Sequence, residues 1–335
     1  MPSSTVSTYN TARHLYLLHC RLKKQRHYIK QRLPPLLQTI RPGEAAGNFP
    51  PSSIKRFSKY WELSLNIVCD SLYLLVDRQL SQEEHERILL LSIFGPLYDD
   101  LFDERILQLH QLEAFTLEPE KHQAACFTEH AVQQLYLRIL NLSPCRNTVI
   151  EHMHQVFTWQ KASLKQMSAQ VQEEELYEIT YKKSYYSILL YYSTLNYYPP
   201  ENVRAMLYPM AGLLQLTNDA FDVYKDLGSG IYTVPNRYLN FDKIMQKFLA
   251  DVALFNTSLA SLPFQQPAKN KYSITIHALH AMGWMALKQL KENARGVQRP
   301  EELAALGRKA LVCDMDSFSQ KARWVRQVKH LVNYQ

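Results

Sequence analysis

Glycine is the residue this chain most avoids: it occurs nine times in 335 positions, against an average usage of about 7%. A turn-dense β-protein needs glycine in its hairpins, and a phosphate loop needs it where backbone approaches ligand. Neither G-x-G-x-x-G nor G-x-x-x-x-G-K-[ST] occurs. The Gly228-Ser229-Gly230 stretch reads as the stop signal of a preceding helix. With 46% hydrophobic residues the chain has the apolar mass for a sizeable core. Helices are left as the elements that build it.

The sequence reads accordingly as one helix after another. A basic helix is expected over residues 11–32, ending at Pro34-Pro35, followed by the loop "RPGEAAGNFPPSS". A second helix is expected over 54–76. Ser81 and Glu84 then form a capping box that opens the long apolar run "HERILLLSIFGPLYDDLFDE". Further helices are expected at 128–142, 147–167, 173–197, 201–227, 241–262, 271–294 and 300–332. No solenoid-length repeat is present. The expectation is an all-α bundle around a central cavity, with residues 1–50 as a basic N-terminal helix and linker and 51–335 as a single helical domain.

The formal charge is +7, and much of the excess lies between Arg13 and Arg32. Such a helix fits a solvated face, or peripheral contact with an acidic membrane. Nucleic acid is not expected as a partner, because acids nearly match bases and no binding motif is present. The five cysteines (Cys20, Cys69, Cys126, Cys145, Cys313) are odd in number and never spaced C-x-x-C. They read as reduced core residues of a cytoplasmic protein. There is no signal-peptide pattern and no apolar run of membrane-spanning length. A monomer or homodimer fits equally well.

Two stretches break the apolar pattern. "LYDDLFDE" places Asp99, Asp100 and Asp103 on one helix face, where like charges three and four residues apart repel. "LLQLTNDAFDVYKDLGSG" spaces Asn218, Asp222 and Asp226 four apart, a stripe of oxygen ligands with Lys225 beside it. A solvated face would carry more Glu and Lys. Two oxygen-rich stripes on apolar helices suit Mg²⁺, which takes one or two carboxylates and completes its shell with phosphate oxygens.

These stretches resemble the two metal motifs of class I isoprenoid synthases. "DDLFD" matches the aspartate-rich D-D-x-x-D motif. "NDAFDVYKD" is similar to the N-D-x-x-S-x-x-K-E motif of microbial terpene cyclases, with Asn218, Asp219 and Lys225 in place, Asp222 for Ser or Thr, and Asp226 for Glu. The same stretch resembles the Q-x-T-N-x-x-R-D-x-x-E-D…G-R-x-Y-x-P motif of squalene and phytoene synthases through Gln215, Thr217, Asn218, Asp222, Asp226, Gly230, Tyr232 and Pro235. Phe221 and Lys225 depart from that motif. The combination looks most like the large-terpene, or class IB, terpene synthases. The helix "EITYKKSYYSILLYYSTLNYY" lacks the glycine-rich close packing of head-to-head synthases, which favours chemistry on a single chain.

The resemblance implies a lyase that ionises a linear prenyl diphosphate and lets the carbocation cyclise, lose a proton or meet water. It implies several Mg²⁺ ions held by Asp99, Asp100, Asp103, Asn218, Asp222 and Asp226 on facing helices. Lys182, Lys183, Lys225, Arg323 and Arg326 are the candidates for gripping the diphosphate. Phe94, Tyr98, Phe102, Tyr185, Tyr186, Tyr192 and Phe221 are the candidates for lining a cavity in which aromatic faces stabilise a cation. Two alternatives stay open: a head-to-head prenyl synthase, and a helical binding protein that has the fold without the catalysis. The pairs His152/His154 and His277/His280 read as packing or surface residues, because no zinc-spaced partners accompany them.

Overall fold

The computed structural model describes residues 5–40 and 48–335. Helices make up 79% of the structure, and no strand occurs among the described residues. The fold is all-α. Its helices are α1 (Thr8–Thr39), α2 (Pro51–Leu63), α3 (Asp70–Leu75), α4 (Gln82–Asp103), α5 (Leu109–Leu117), α6 (Phe127–Leu142), α7 (Arg146–Ala162), α8 (Glu173–Ser193) and α9 (Glu201–Gly228). They continue as α10 (Val234–Arg237), α11 (Phe241–Ser261), α12 (Gln266–Asn293), α13 (Pro300–Ala305), α14 (Arg308–Leu311) and α15 (Phe318–Val332). The chain forms two compact units. One comprises residues up to Tyr16, Trp159–Tyr185 and Pro199–Gln335, and the other Leu17–Thr158 and Tyr186–Tyr198.

Several local signals act as expected. Ser81 and Glu84 make the capping box of α4: the Ser81 hydroxyl accepts from the Glu84 N–H at 3.2 Å, and the Glu84 carboxylate accepts from the Ser81 N–H at 2.8 Å. Helix α9 stops at Gly228. Gly230, at φ 67°, lets Ile231 N–H reach back to the Asp226 carbonyl at 2.8 Å, a Schellman closure that only a residue tolerant of positive φ makes cheaply.

Others are overridden. The first helix does not end at Pro34-Pro35 but runs through both to Thr39. Each proline removes a ladder bond, yet both are exposed, so water reaches the freed carbonyls. Leu33, Leu37 and Ile40 are buried and draw the last turns into the core. The expected 54–76 helix contains a π-helical stretch, Ser64–Cys69, with every side chain buried. Such a stretch turns a carbonyl out of the ladder; here the Tyr192 hydroxyl donates to the Val68 carbonyl at 3.1 Å. The expected 300–332 helix is three pieces. Gly307, at φ 76°, separates α13 from α14. The Asp314 carboxylate then accepts the Asp316 N–H at 2.8 Å and Ser317 caps α15, so residues 313–317 are not helical. The reading of the cysteines as core residues also needs correction: Cys69 and Cys313 are buried, Cys20 is half-buried, and Cys126 and Cys145 are exposed. The linker expected after α1 lies, over residues 41–47, outside the described residues.

In the unit built on α4, the core packs α4 against α2 and α6 through Phe57, Trp61, Phe94, Phe115 and Tyr136, all essentially inaccessible. Arg87 is also buried, and donates to the Thr194 carbonyl at 2.7 Å and to Asn196 at 2.9 Å. In the other unit α9, α11, α12 and α15 pack together. Met210 of α9 lies beside Tyr272 and His280 of α12, and Thr217 abuts Gly283, so the two helices run in the same direction. A Cβ at Gly283 would sit 2.2 Å from the Thr217 hydroxyl, and one at Gly212 would sit 2.4 Å from the Tyr181 ring. These two glycines bring α12 and α8 close enough to α9 to cover its apolar faces.

Candidate active site

Helix α9 carries Gln215, Asn218, Asp219, Asp222, Lys225 and Asp226 on consecutive turns. Its apolar residues Leu213, Leu216, Ala220 and Val223 are fully buried and anchor the opposite side. The polar stripe therefore has a fixed place in the unit. Asp219 is 4% exposed and Asp226 9% exposed; Asp222 is half-buried and Asn218 exposed. The Asn218 amide donates to Asp222 at 3.4 Å. Asp219 accepts from the Gln215 amide at 2.8 Å and from the Thr180 hydroxyl of α8 at 3.3 Å.

Burial sets the electrostatics of this cluster. It pushes the Asp226 carboxyl up to about 7, and the negative charges of Asp219 and Asp222 push it the same way against Lys225 and Lys183. Burial likewise raises Asp219 to about 6, against the hydrogen bond from Gln215 and the charge of Lys183. Asp219 and Asp226 thus share one field with the charge of Asp222. Asp219 was absent from the expected ligand set. Its spacing signalled it, since it stands three residues before Asp222 and seven before Asp226, on the same face.

The donor chemistry fits a hard divalent cation. Carboxylates that raise one another's proton affinity are relieved by a metal, and an amide oxygen beside them adds a neutral ligand. Among the described residues no three His, Cys, Asp or Glu side chains converge on a finished metal site. A cation here would need further oxygens from water or substrate, the usual habit of Mg²⁺.

Of the expected diphosphate-binding residues, Lys183 of α8 is the one whose charge acts on both Asp219 and Asp226. Lys225 is exposed beside Asp226. Lys182 instead bonds Glu178 at 2.7 Å and lies 4.4 Å over the Trp159 ring. Arg323 and Arg326 line a separate cleft with residues of α12 and α14.

The aspartates of α4 belong to the other unit. The Arg56 guanidinium pairs with Asp100 at 2.7 Å and donates to the Pro96 carbonyl at 2.8 Å. Asp99 is half-buried near Tyr60, whose hydroxyl is held well above its ordinary value by burial and then by Asp99. Asp103, at the end of α4, is exposed.

The aromatic candidates divide. Phe94 stacks on Tyr136 at 5.1 Å, and the Tyr98 hydroxyl meets Thr116 at 2.6 Å. Both rings are buried against other rings. Tyr192 is fully buried and Phe102 is buried. Tyr185, Tyr186 and Phe221 are half-buried, with Tyr185 edge-on to Tyr208 at 5.3 Å. The histidine pairs are structural. His152 meets the Tyr198 hydroxyl at 2.6 Å, and His154 lies 3.6 Å from Glu113. His277 and His280 are fully buried and contact Asn256 and the Met210 carbonyl. Burial lowers both, His280 to about 3.

Compared with protein-family models, with curated proteins and with solved structures, the chain finds no match.

Proposed function

We propose that the chain is a Mg²⁺-dependent class I terpene synthase acting on a linear prenyl diphosphate, with α9 as its principal metal-binding helix. One observation carries this reading: Asp219, Asp222 and Asp226 are held together on a buried helix, their charges unrelieved by any arginine among the groups acting on them, with Lys183 facing them from α8. Asn218, Asp222 and Asp226 would hold the cation, and Asp219 keeps their orientation through Gln215 and Thr180. Bound there, Mg²⁺ supplies charge neutralisation of a leaving diphosphate. Lys183 and Lys225 add positive charge on the same side and orient the phosphates. The apolar side of α9 excludes water from the helix behind the cluster.

The test is pyrophosphate release from a panel of prenyl diphosphates with and without Mg²⁺, with product analysis by gas chromatography. Mg²⁺-dependent release that disappears in Asp222→Asn and Asp226→Asn supports the reading. A silent panel, or release that survives both substitutions, removes it. A second reading, a helical binding protein without catalysis, draws on the Arg56–Asp100 pair: the aspartate-rich stretch of α4 already has a protein cation at one of its three carboxylates. In that case the chain binds a diphosphate without releasing pyrophosphate from it.

A further inference from the structure

Four cations border one cleft in the unit that holds α12 and α15. Its volume is about 740 Å³, and its border includes Lys288 and Glu292 of α12, Lys309 of α14, and Arg323 and Arg326 of α15. Buried Met285 and Cys313 form its floor. The walls are held in place. The Gln289 amide donates to the Ala310 and Val312 carbonyls at 3.2 Å each, and Asn293 donates to Ala310 at 2.8 Å. The Trp324 indole of α15 donates to the Ala278 carbonyl of α12 at 2.7 Å.

Among the described residues, the cations of this cleft differ from others of the same unit in their pairing. Elsewhere in the same unit Lys243 pairs with Glu173, Lys247 with Asp251 and Lys291 with Asp242. Among the described residues, none of Lys288, Lys309, Arg323 and Arg326 forms an ion pair. Glu292 is the one carboxylate among the lining residues, so four positive charges less one negative leave a formal +3. Lys288 lies 5.3 Å over the Trp284 ring, which fixes its direction without neutralising it. A concave surface of one sign concentrates counter-ions, and guanidinium groups match phosphate oxygens in geometry.

We propose that this cleft binds a small phosphate-bearing polyanion, either a free diphosphate or the phosphate headgroup of a lipid. A diphosphate carries on the order of three negative charges near neutral pH, which matches the cleft. The volume lies within the range of roughly 300–1,000 Å³ usual for small-molecule sites. The site is distinct from the acidic stripe of α9. On α12, Gly283 faces α9, and Met285, Lys288, Gln289 and Glu292 lie roughly half a turn around the helix from it. It involves no metal and does not depend on the reading of α9.

The experiment titrates sodium pyrophosphate into the full chain without divalent cations, by calorimetry. In parallel, the chain is sedimented with phosphatidylcholine vesicles with and without phosphatidic acid. Wild type is expected to bind pyrophosphate at one site, more weakly as salt rises. Arg323→Gln/Arg326→Gln, whose fold is checked by thermal melting, weakens binding roughly tenfold or more. Glu292→Gln tightens it, and Lys243→Gln, outside the cleft, leaves it unchanged. Vesicle binding that needs phosphatidic acid and is lost in the same double variant, without pyrophosphate binding, assigns the cleft to a lipid headgroup. Failure of both ligands, or pyrophosphate binding that survives the double variant, overturns the proposal.

Discussion

The acidic runs of α4 and α9 have nearly the same spacing and opposite surroundings. On α4 the carboxylates sit at the C-terminal end, where the helix dipole disfavours negative charge. Asp103 is exposed there, and Asp100 is neutralised by Arg56. On α9 the run also reaches the last turn at Asp226, but Asp219 and Asp226 are buried, and Lys183 and Lys225 only partly offset them. Burial turns the α9 run into a site with unmet charge, whereas on α4 Arg56 takes up one carboxylate and Asp103 faces solvent. Spacing alone does not separate these two outcomes.

The sharpest way to break this contrast is activity. Asp222→Asn or Asp226→Asn is expected to lower Mg²⁺-dependent pyrophosphate release by roughly a hundredfold or more. Asp100→Asn should lower it by about tenfold or less, because Arg56 already occupies that carboxylate. Equal losses measured in the same assay would make the two runs equivalent.

Stability against pH tests the buried run next. The folded-state values of Asp226 and Asp219, about 7 and about 6, lie above the ordinary 3.8. The folded chain therefore holds protons that the unfolded chain has lost, and metal-free protein loses stability as pH rises from about 4 through 7. After allowance for solvent screening the Asp226 contribution is on the order of 1–2 kcal/mol. Urea denaturation at pH 5 and pH 8 should show this slope flattened in Asp226→Asn and unchanged in Asp103→Asn.

The smaller effects belong to α4. Arg56→Ala removes the Asp100 pair and the bond to Pro96, and should cost about 0.5–1.5 kcal/mol. A double-mutant cycle with Asp100→Ala reads the coupling directly. Asp103→Asn relieves a charge at the wrong end of the dipole and should stabilise by a few tenths of a kcal/mol. A large loss of stability on that substitution would mean that Asp103 has a partner at the end of α4.

Helical class, the α4 capping box and the α9 stop at Gly228 were legible in the chain itself, because scarce glycine, capping residues and 3.6-residue periodicity act over a few neighbouring positions. So was the stripe of Asn218, Asp222 and Asp226 on one face. Burial and partners were not legible, because they depend on residues distant in sequence. The pairing of Asp100 with Arg56 spans 44 positions and that of Asp219 with Thr180 spans 39. The tertiary structure likewise decided that α1 passes through two prolines, where buried Leu33 and Leu37 outweigh the lost ladder bonds. It placed Phe94 and Tyr98 in a buried aromatic core. It also gathered Lys288, Lys309, Arg323 and Arg326 around one cleft from three helices. Local rules determine which elements form; which charges meet is decided only when the apolar faces of those elements pack.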